Sequence, residues 1–203
     1  MKRISTGFET KKSFQRFSSI NILGNQGFGI VEVLIVATIA CILASWAAIQ
    51  AGPIMSGMKA NKAMYQTIAQ LRRGRNLAIA QRRNIQLQFS DDFRIQLVRN
   101  EIPNGTTPIG TSSLENYFRF TQFDDITDDT PDHFGNASKL DFQNAVSMTF
   151  QSDGTLVNEA GNPINGTIFL GLPDHSETAR AVTILGSTGR IRGYRWTGSE
   201  WIP

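Results

Sequence analysis

The run from Phe28 to Ile49 constrains this chain more than any other stretch: 22 residues carry one ionisable side chain, Glu32. At 1.5 Å per residue a helix of that length reaches roughly 33 Å, enough to cross the hydrocarbon of a bilayer. A carboxylate in hydrocarbon costs about 2–3 kcal/mol even on the lenient insertion scale, so Glu32 predicts a partner. The run is longer than the apolar core of a removable secretory signal, no Ala-x-Ala site follows it, and Gly52-Pro53 closes it. It is expected to stay in the mature protein as an anchor.

Charge refines that reading once it is divided along the chain. Of 20 basic and 17 acidic residues, residues 1–27 hold five bases (Lys2, Arg3, Lys11, Lys12, Arg16) and one acid, Glu9. That leaves 15 and 16, a net charge of −1, for residues 28–203. The basic character belongs to the leader and says nothing about a nucleic-acid partner. A positive leader favours the cytoplasmic side, which sends the remainder across the membrane. The one cysteine, Cys41, lies inside the apolar run, so no intrachain disulfide can form and no thiol is expected at an aqueous site.

Beyond the anchor a helical rhythm continues over residues 54–83. Met64, Ile68, Leu71, Ala78 and Ile79 fall within roughly 100° of arc, an amphipathic stripe. Gly52-Pro53 is expected to kink the helix. Arg72, Arg75, Arg82 and Arg83 lie near the same arc. Two readings stand for them: aliphatic stems covering the core edge with solvated heads, or a stripe for partner subunits or polyanions.

After Arg83 the period becomes two. Ile85, Leu87 and Phe89 alternate with glutamines, Ser90-Asp91-Asp92 turns the chain, and Phe93, Ile95 and Leu97 answer them as a hairpin. Residues 117–123 suggest a further strand. Val146 to Phe150, Leu156-Val157, Thr167 to Leu170, Arg180 to Leu185 and Arg190 to Trp196 follow, separated by turn residues at the spacing of an antiparallel sheet. The expected product is an α+β chain: leader 1–27, membrane half-helix 28–53, and a globular domain 54–203 with its sheet over about 84–203.

Few constellations suggest chemistry. Asn-x-Ser/Thr triplets begin at Asn104, Asn136 and Asn165, but two contain Asn-Gly, which a turn already explains. The stretch Asp124, Asp125, Asp128, Asp129, Asp132 reads first as a solvated loop; its spacing fits no EF-hand, and a calcium site is the alternative. His133 and His175 stand in no zinc pattern, and no hydrolase elbow, P-loop or dinucleotide fingerprint is present. No metal, cofactor or enzymatic activity is expected. One candidate binding surface remains, near the C-terminus. Strand alternation places Arg190, Arg192, Tyr194 and Trp196 on one face, and Arg195 opposite unless Gly193 marks a bulge. Arginines interleaved with aromatics suit a phosphate backbone and stacked bases. Equally, the rings could cover the sheet while the arginines are solvated or paired with nearby acids.

The Gly27-Phe28 junction with Glu32 four residues on, the amphipathic second half-helix, and the C-terminal sheet ending in Gly189-Arg190-Ile191-Arg192 together resemble the GspH/FimT family of minor pilins and pseudopilins. The resemblance implies a type IV pilin-like fold, a long N-terminal helix packed on an antiparallel sheet. It implies cleavage between Gly27 and Phe28 by a prepilin peptidase, N-methylation of Phe28, and a role for Glu32 in meeting a neighbouring subunit's α-amino group. The expected product is a non-enzymatic subunit of the bacterial inner membrane, its C-terminal domain periplasmic. It would enter a type IV pilus or type II secretion pseudopilus, near the tip, among other pilin or pseudopilin subunits. Some relatives with a Gly-Arg-x-Arg end look like DNA receptors in natural transformation. Arg190 and Arg192 match that pattern, which gives DNA uptake as the alternative.

Overall fold

The computed structural model describes the backbone of residues 29–203, and their side chains apart from those of 47–53. The chain divides into two units, Met1–Ala47 and Ala48–Pro203. One helix, α1 (Ile30–Gln81), contributes to both. It does not stop at Gly52-Pro53, since residues on either side are helical. Pro53 removes one N–H donor, and a long helix absorbs that single loss without ending.

In the first unit the described part of α1 is apolar on every side. Ile30, Leu34, Ile42 and Trp46 are each more than half exposed. Its two hydroxyls are turned inward: Thr38 Oγ1 donates to the Leu34 carbonyl and Ser45 Oγ to that of Cys41, both at 2.8 Å. Bonding to the preceding turn leaves no hydroxyl donor unmet, as an apolar environment requires. Among the described residues no helix is long and apolar enough to cross a membrane. The described side chains of the apolar run end at Trp46, short of Ile49.

In the second unit the same helix becomes one-sided. Met64, Ile68, Leu71 and Ala78 are buried, as their spacing predicts, and Ala60 joins them, but Ile79 is 40% exposed at the edge of the stripe. The helix ends on Arg82, whose φ is +50°. The Arg82 N–H donates to the Ile79 carbonyl and the Arg83 N–H to that of Ala78, a Schellman closure with arginine where glycine is usual.

Two antiparallel sheets follow where the sequence suggests one. The first has the order β3-β2-β1-β6-β7: Thr106–Ser113, Arg94–Asn100, Ile85–Ser90, Met148–Phe150 and Leu156–Val157. The expected hairpin is present, with Leu87 opposite Leu97 and Phe89 opposite Ile95. Asp91 and Asp92 turn it at positive φ. Phe93 belongs to that turn and not to the strand; its ring carries the guanidinium groups of Arg94 and Arg119, at 5.3 and 5.6 Å.

The second sheet has the order β11-β10-β9-β8-β4, built from Trp201–Ile202, Arg190–Trp196, His175–Leu185, Gly166–Leu172 and Arg119–Phe120. β5 (Leu140–Asp141) also pairs with β8. Only Arg119–Phe120 of the expected 117–123 strand forms, and Tyr117 is 82% exposed. The sheets meet where the Leu156 N–H donates to the Gly186 carbonyl.

The buried face of α1 packs on both sheets. Its cluster includes Leu87, Leu97 and Phe150 from the first sheet and Ile168, Leu170, Val182 and Ile184 from the second. Close approach needs glycine at two points. A Cβ at Gly74 would lie 3.0 Å from Leu97 Cδ2, and one at Gly193 2.8 Å from both Ile68 Cδ1 and Met64 Sδ. The outer face of the second sheet has its own cluster, in which Phe123 and Ile126 of the acidic loop cover Phe169, Ala179, Ala181, Tyr194 and Trp201.

Candidate functional site

Strand β10 pairs with β9 in unbroken register from Arg190 opposite Leu185 to Arg195 opposite Arg180. There is no bulge at Gly193. Alternation therefore holds: Arg190, Arg192, Tyr194 and Trp196 point to the outer face, and Arg195 to the helix side. The sequence alternative that swings Arg195 round to join the others is corrected by this register.

On the outer face the arginines meet a carboxylate. Asp132, from the far end of the acidic loop, has a side chain only 8% exposed. Its Oδ1 accepts from Arg190 Nη2 at 3.3 Å and Arg192 Nη1 at 3.2 Å. Its Oδ2 accepts from Thr183 Oγ1 at 2.6 Å and Tyr194 Oη at 2.9 Å. Burial alone pushes this carboxyl up. The Thr183 and Tyr194 hydrogen bonds and the Arg192 and Arg190 charges outweigh burial, so it titrates below the usual aspartate range. Tyr194 is itself fully buried and its hydroxyl is pushed up, chiefly by burial. Trp196 turns away toward Trp201, with ring centroids 5.3 Å apart, and Trp201 Nε1 donates to the Asp128 carbonyl. The rings cover the sheet, and the arginines hold the loop.

This arrangement bears on both candidate chemistries. For a phosphate backbone it leaves only the solvent side of two guanidiniums that already share one anion. For a cation, it has turned Asp132 toward arginines. Asp129 is likewise engaged, accepting from the N–H groups of Thr130 and Gly135. Among the described residues no group of three or more His, Cys, Asp or Glu is placed to hold a metal. A cleft of about 690 Å³ lies between the free end of β1 and residues 137–148. Asp141 is its one ionisable side chain, and that carboxylate already accepts from the Ala137 and Gln143 N–H groups.

On the helix side β10 presents the opposite situation. Arg195 is exposed and lies across the strand pair from Arg180, which is 2% exposed. Arg180 donates to Asn61 Oδ1 and the Ala179 carbonyl at 2.8 Å, and to the Gly57 carbonyl at 3.4 Å. No carboxylate among the described residues reaches either guanidinium. Burial, reinforced by the Arg195 charge, pulls Arg180 down to about 10.

Sequence reasoning missed two of these roles. Arg180 reads there as an ordinary strand arginine; a charged residue inside the run Ala179 to Leu185 was the available signal. Arg75 reads as a solvated stem, yet its Nε donates to the Gly154 carbonyl at 3.2 Å and its Nη2 to the Thr188 carbonyl at 3.1 Å. It ties the β6–β7 and β9–β10 turns to the helix.

At the other end of the chain, Gly27 and Phe28 lie outside the described residues. Glu32 sits in the first turn of α1, exposed, with its main-chain N–H donating to the Gly29 carbonyl at 3.0 Å. Its carboxylate has no partner among the described residues. The chain matches no protein-family model and no curated protein. It is similar to the solved structure of the minor pseudopilin EpsH from the type 2 secretion system of Vibrio cholerae: 13% identity, TM-score 0.46, 68% of this chain and 97% of that one covered. It is also similar to two crystal forms of the type IV minor pilin FimU of Pseudomonas aeruginosa strain PAO1. These are 18% and 17% identical, with TM-scores of 0.45 and 0.44, covering 70% and 73% of this chain and 96% and 92% of theirs.

Proposed function

We propose that this chain is a minor pilin or pseudopilin, a structural subunit made as a precursor and assembled into a type IV pilus or type II secretion pseudopilus. In this reading a prepilin peptidase removes residues 1–27, Phe28 becomes the methylated N-terminus, and the run Phe28–Ile49 anchors the subunit in the inner membrane until assembly. The domain beyond it lies on the periplasmic side.

One observation carries the proposal: a lone carboxyl group, Glu32, stands at the start of an otherwise apolar helix, soon after a Gly-Phe junction. A carboxylate in that position is stable only when it finds a cation, and the α-amino group of a neighbouring processed subunit is a natural one. The surroundings agree. The described turns of α1 in the first unit expose apolar side chains on all sides, so in this reading their cover comes from lipid or from helices of other subunits. Further along, Ile54, Met58 and Tyr65, each more than 60% exposed, continue an apolar face that such neighbours would cover.

The test is Glu32→Val in the full-length chain. It should insert in the membrane and be processed at Gly27 as the parent is, yet fail to enter filaments purified from cells. Normal incorporation would sink the assembly role. Edman or mass-spectrometric reading of the mature N-terminus tests the cleavage separately, and a start at any residue other than Phe28 overturns it.

A further inference from the structure

We propose that Arg195, with Arg180 behind it, is a docking site for carboxylates of the 124–128 loop on a second copy of this chain. The inference starts from an asymmetry across one strand. β10 carries arginines on both faces, and on the outer face Asp132 takes up both Arg190 and Arg192. On the helix side the two arginines are opposite each other across a strand pair, and no carboxylate among the described residues pairs with either. Like charges placed directly opposite destabilise a sheet. A buried cation whose partners among the described residues are the Asn61 amide and two carbonyls forgoes the larger compensation of a counter-ion.

Arg195 supplies what a visiting carboxylate needs. Its guanidinium is exposed and has no hydrogen-bond or ion-pair partner among the described residues. The planar fork of donors is therefore free for bidentate contact. Arg180 adds a fixed positive charge behind it that does not have to be ordered on binding.

The chain carries the complement. Asp124, Asp125 and Asp128 are exposed, and none has a cation partner among the described residues. Within one copy they form no ion pair with Arg195: Phe123 and Ile126 hold their loop on the outer face of the sheet, and Arg195 points to the helix side. Basic site and acidic occupant thus lie on opposite faces of one sheet. A contact between them is heterologous, joining copies head to tail in a series that need not close. The proposal does not depend on Glu32 or on processing at Gly27.

Two measurements on the full-length chain in detergent micelles test it. In the first, Arg195→Lys is prepared with and without ¹⁵N, the two are mixed, and a carbodiimide couples lysine amines to adjacent carboxylates. Mass spectrometry should find position 195 joined to Asp124, Asp125 or Asp128 in peptides that pair a labelled with an unlabelled half. Links confined to one chain, or none to that loop, overturn the proposal. In the second, Arg195→Glu and the double variant Asp124→Lys, Asp125→Lys are each examined by sedimentation at low salt. Each should weaken self-association by about five-fold, the upper range for an exposed ion pair, and an equimolar mixture should recover it. All these positions are at the surface, and association through the apolar helix is common to every variant, so it cancels in the comparison. Unchanged association in both variants refutes the contact while leaving the Glu32 test untouched.

Discussion

Replacing Asp132 by alanine is the most informative single perturbation of this fold. The carboxylate has four donors, and their burial decides what its removal costs. Thr183 is 1% exposed and Tyr194 2%, so each hydroxyl would lose its acceptor away from water. An unsatisfied buried donor costs about 1–3 kcal/mol. The arginines matter less, because the side chains of Arg190 and Arg192 are 45% and 49% exposed and regain water; such pairs contribute about 0–1 kcal/mol. Rearrangement of the two hydroxyls recovers part of the loss, so a total destabilisation of about 3 kcal/mol is expected.

The assay is urea unfolding followed by tryptophan fluorescence, since Trp201 bonds the same loop through Asp128. Acid adds a second handle. Folding holds the Asp132 pKa below its ordinary value of 3.8, so the unfolded chain binds the proton more tightly. The contribution is therefore fully present above about pH 4 and is lost as pH falls through the lower folded value. Asp132→Asn keeps an acceptor but cannot titrate, so its stability should lack that acid-side fall. A loss below about 0.5 kcal/mol for Asp132→Ala, within the range of ordinary surface changes, would refute the clamp.

Three further outcomes follow from the geometry. Arg75→Ala frees the Gly154 and Thr188 carbonyls and should cost about 1–2 kcal/mol in the same urea assay, with Arg75→Lys recovering only part of it. Arg82→Gly should stabilise the chain by about 0.5 kcal/mol, because glycine meets no steric penalty at φ +50° though it loses more chain entropy on folding; a drop in the unfolding midpoint would contradict the Schellman reading. Titrated with duplex DNA at low salt, the full chain should give no binding that Arg190→Gln with Arg192→Gln abolishes, since Asp132 already holds both groups. A binding signal lost in that variant would restore the DNA-receptor alternative.

Local pattern carried much of the architecture. Period-two alternation places Leu87 against Leu97 and defines Arg190 to Trp196 as a strand, because side-chain facing in a strand is set by parity alone. Helical spacing likewise marks Met64, Ile68 and Leu71 as core. Ile79 shows the limit: it satisfies the arc but lies at its margin, where the neighbouring sheets decide exposure. The weak region was 100–144: β3 (Thr106–Ser113) has no apolar alternation and holds Pro108, which reads as a turn, and the loops beyond it are held by side chains from distant strands.

Asp132 is the clearest example of that limit. In the sequence it is one of five aspartates in an acidic stretch, no different from Asp124 or Asp125. Only the fold lays the loop across β9 and β10, so that this carboxylate meets Thr183, Arg190, Arg192 and Tyr194, 51 to 62 residues away. The same step splits the arginines of β10 into an outer pair that shares one carboxylate and an inner one that has none among the described residues. What the sequence determined by itself is whatever depends on neighbours a few residues apart: the apolar run with its lone Glu32, the amphipathic turns beyond it, and the faces of each strand. Which charges cancel was left to tertiary structure, because electrostatic pairing depends on distance in space and no local pattern encodes it.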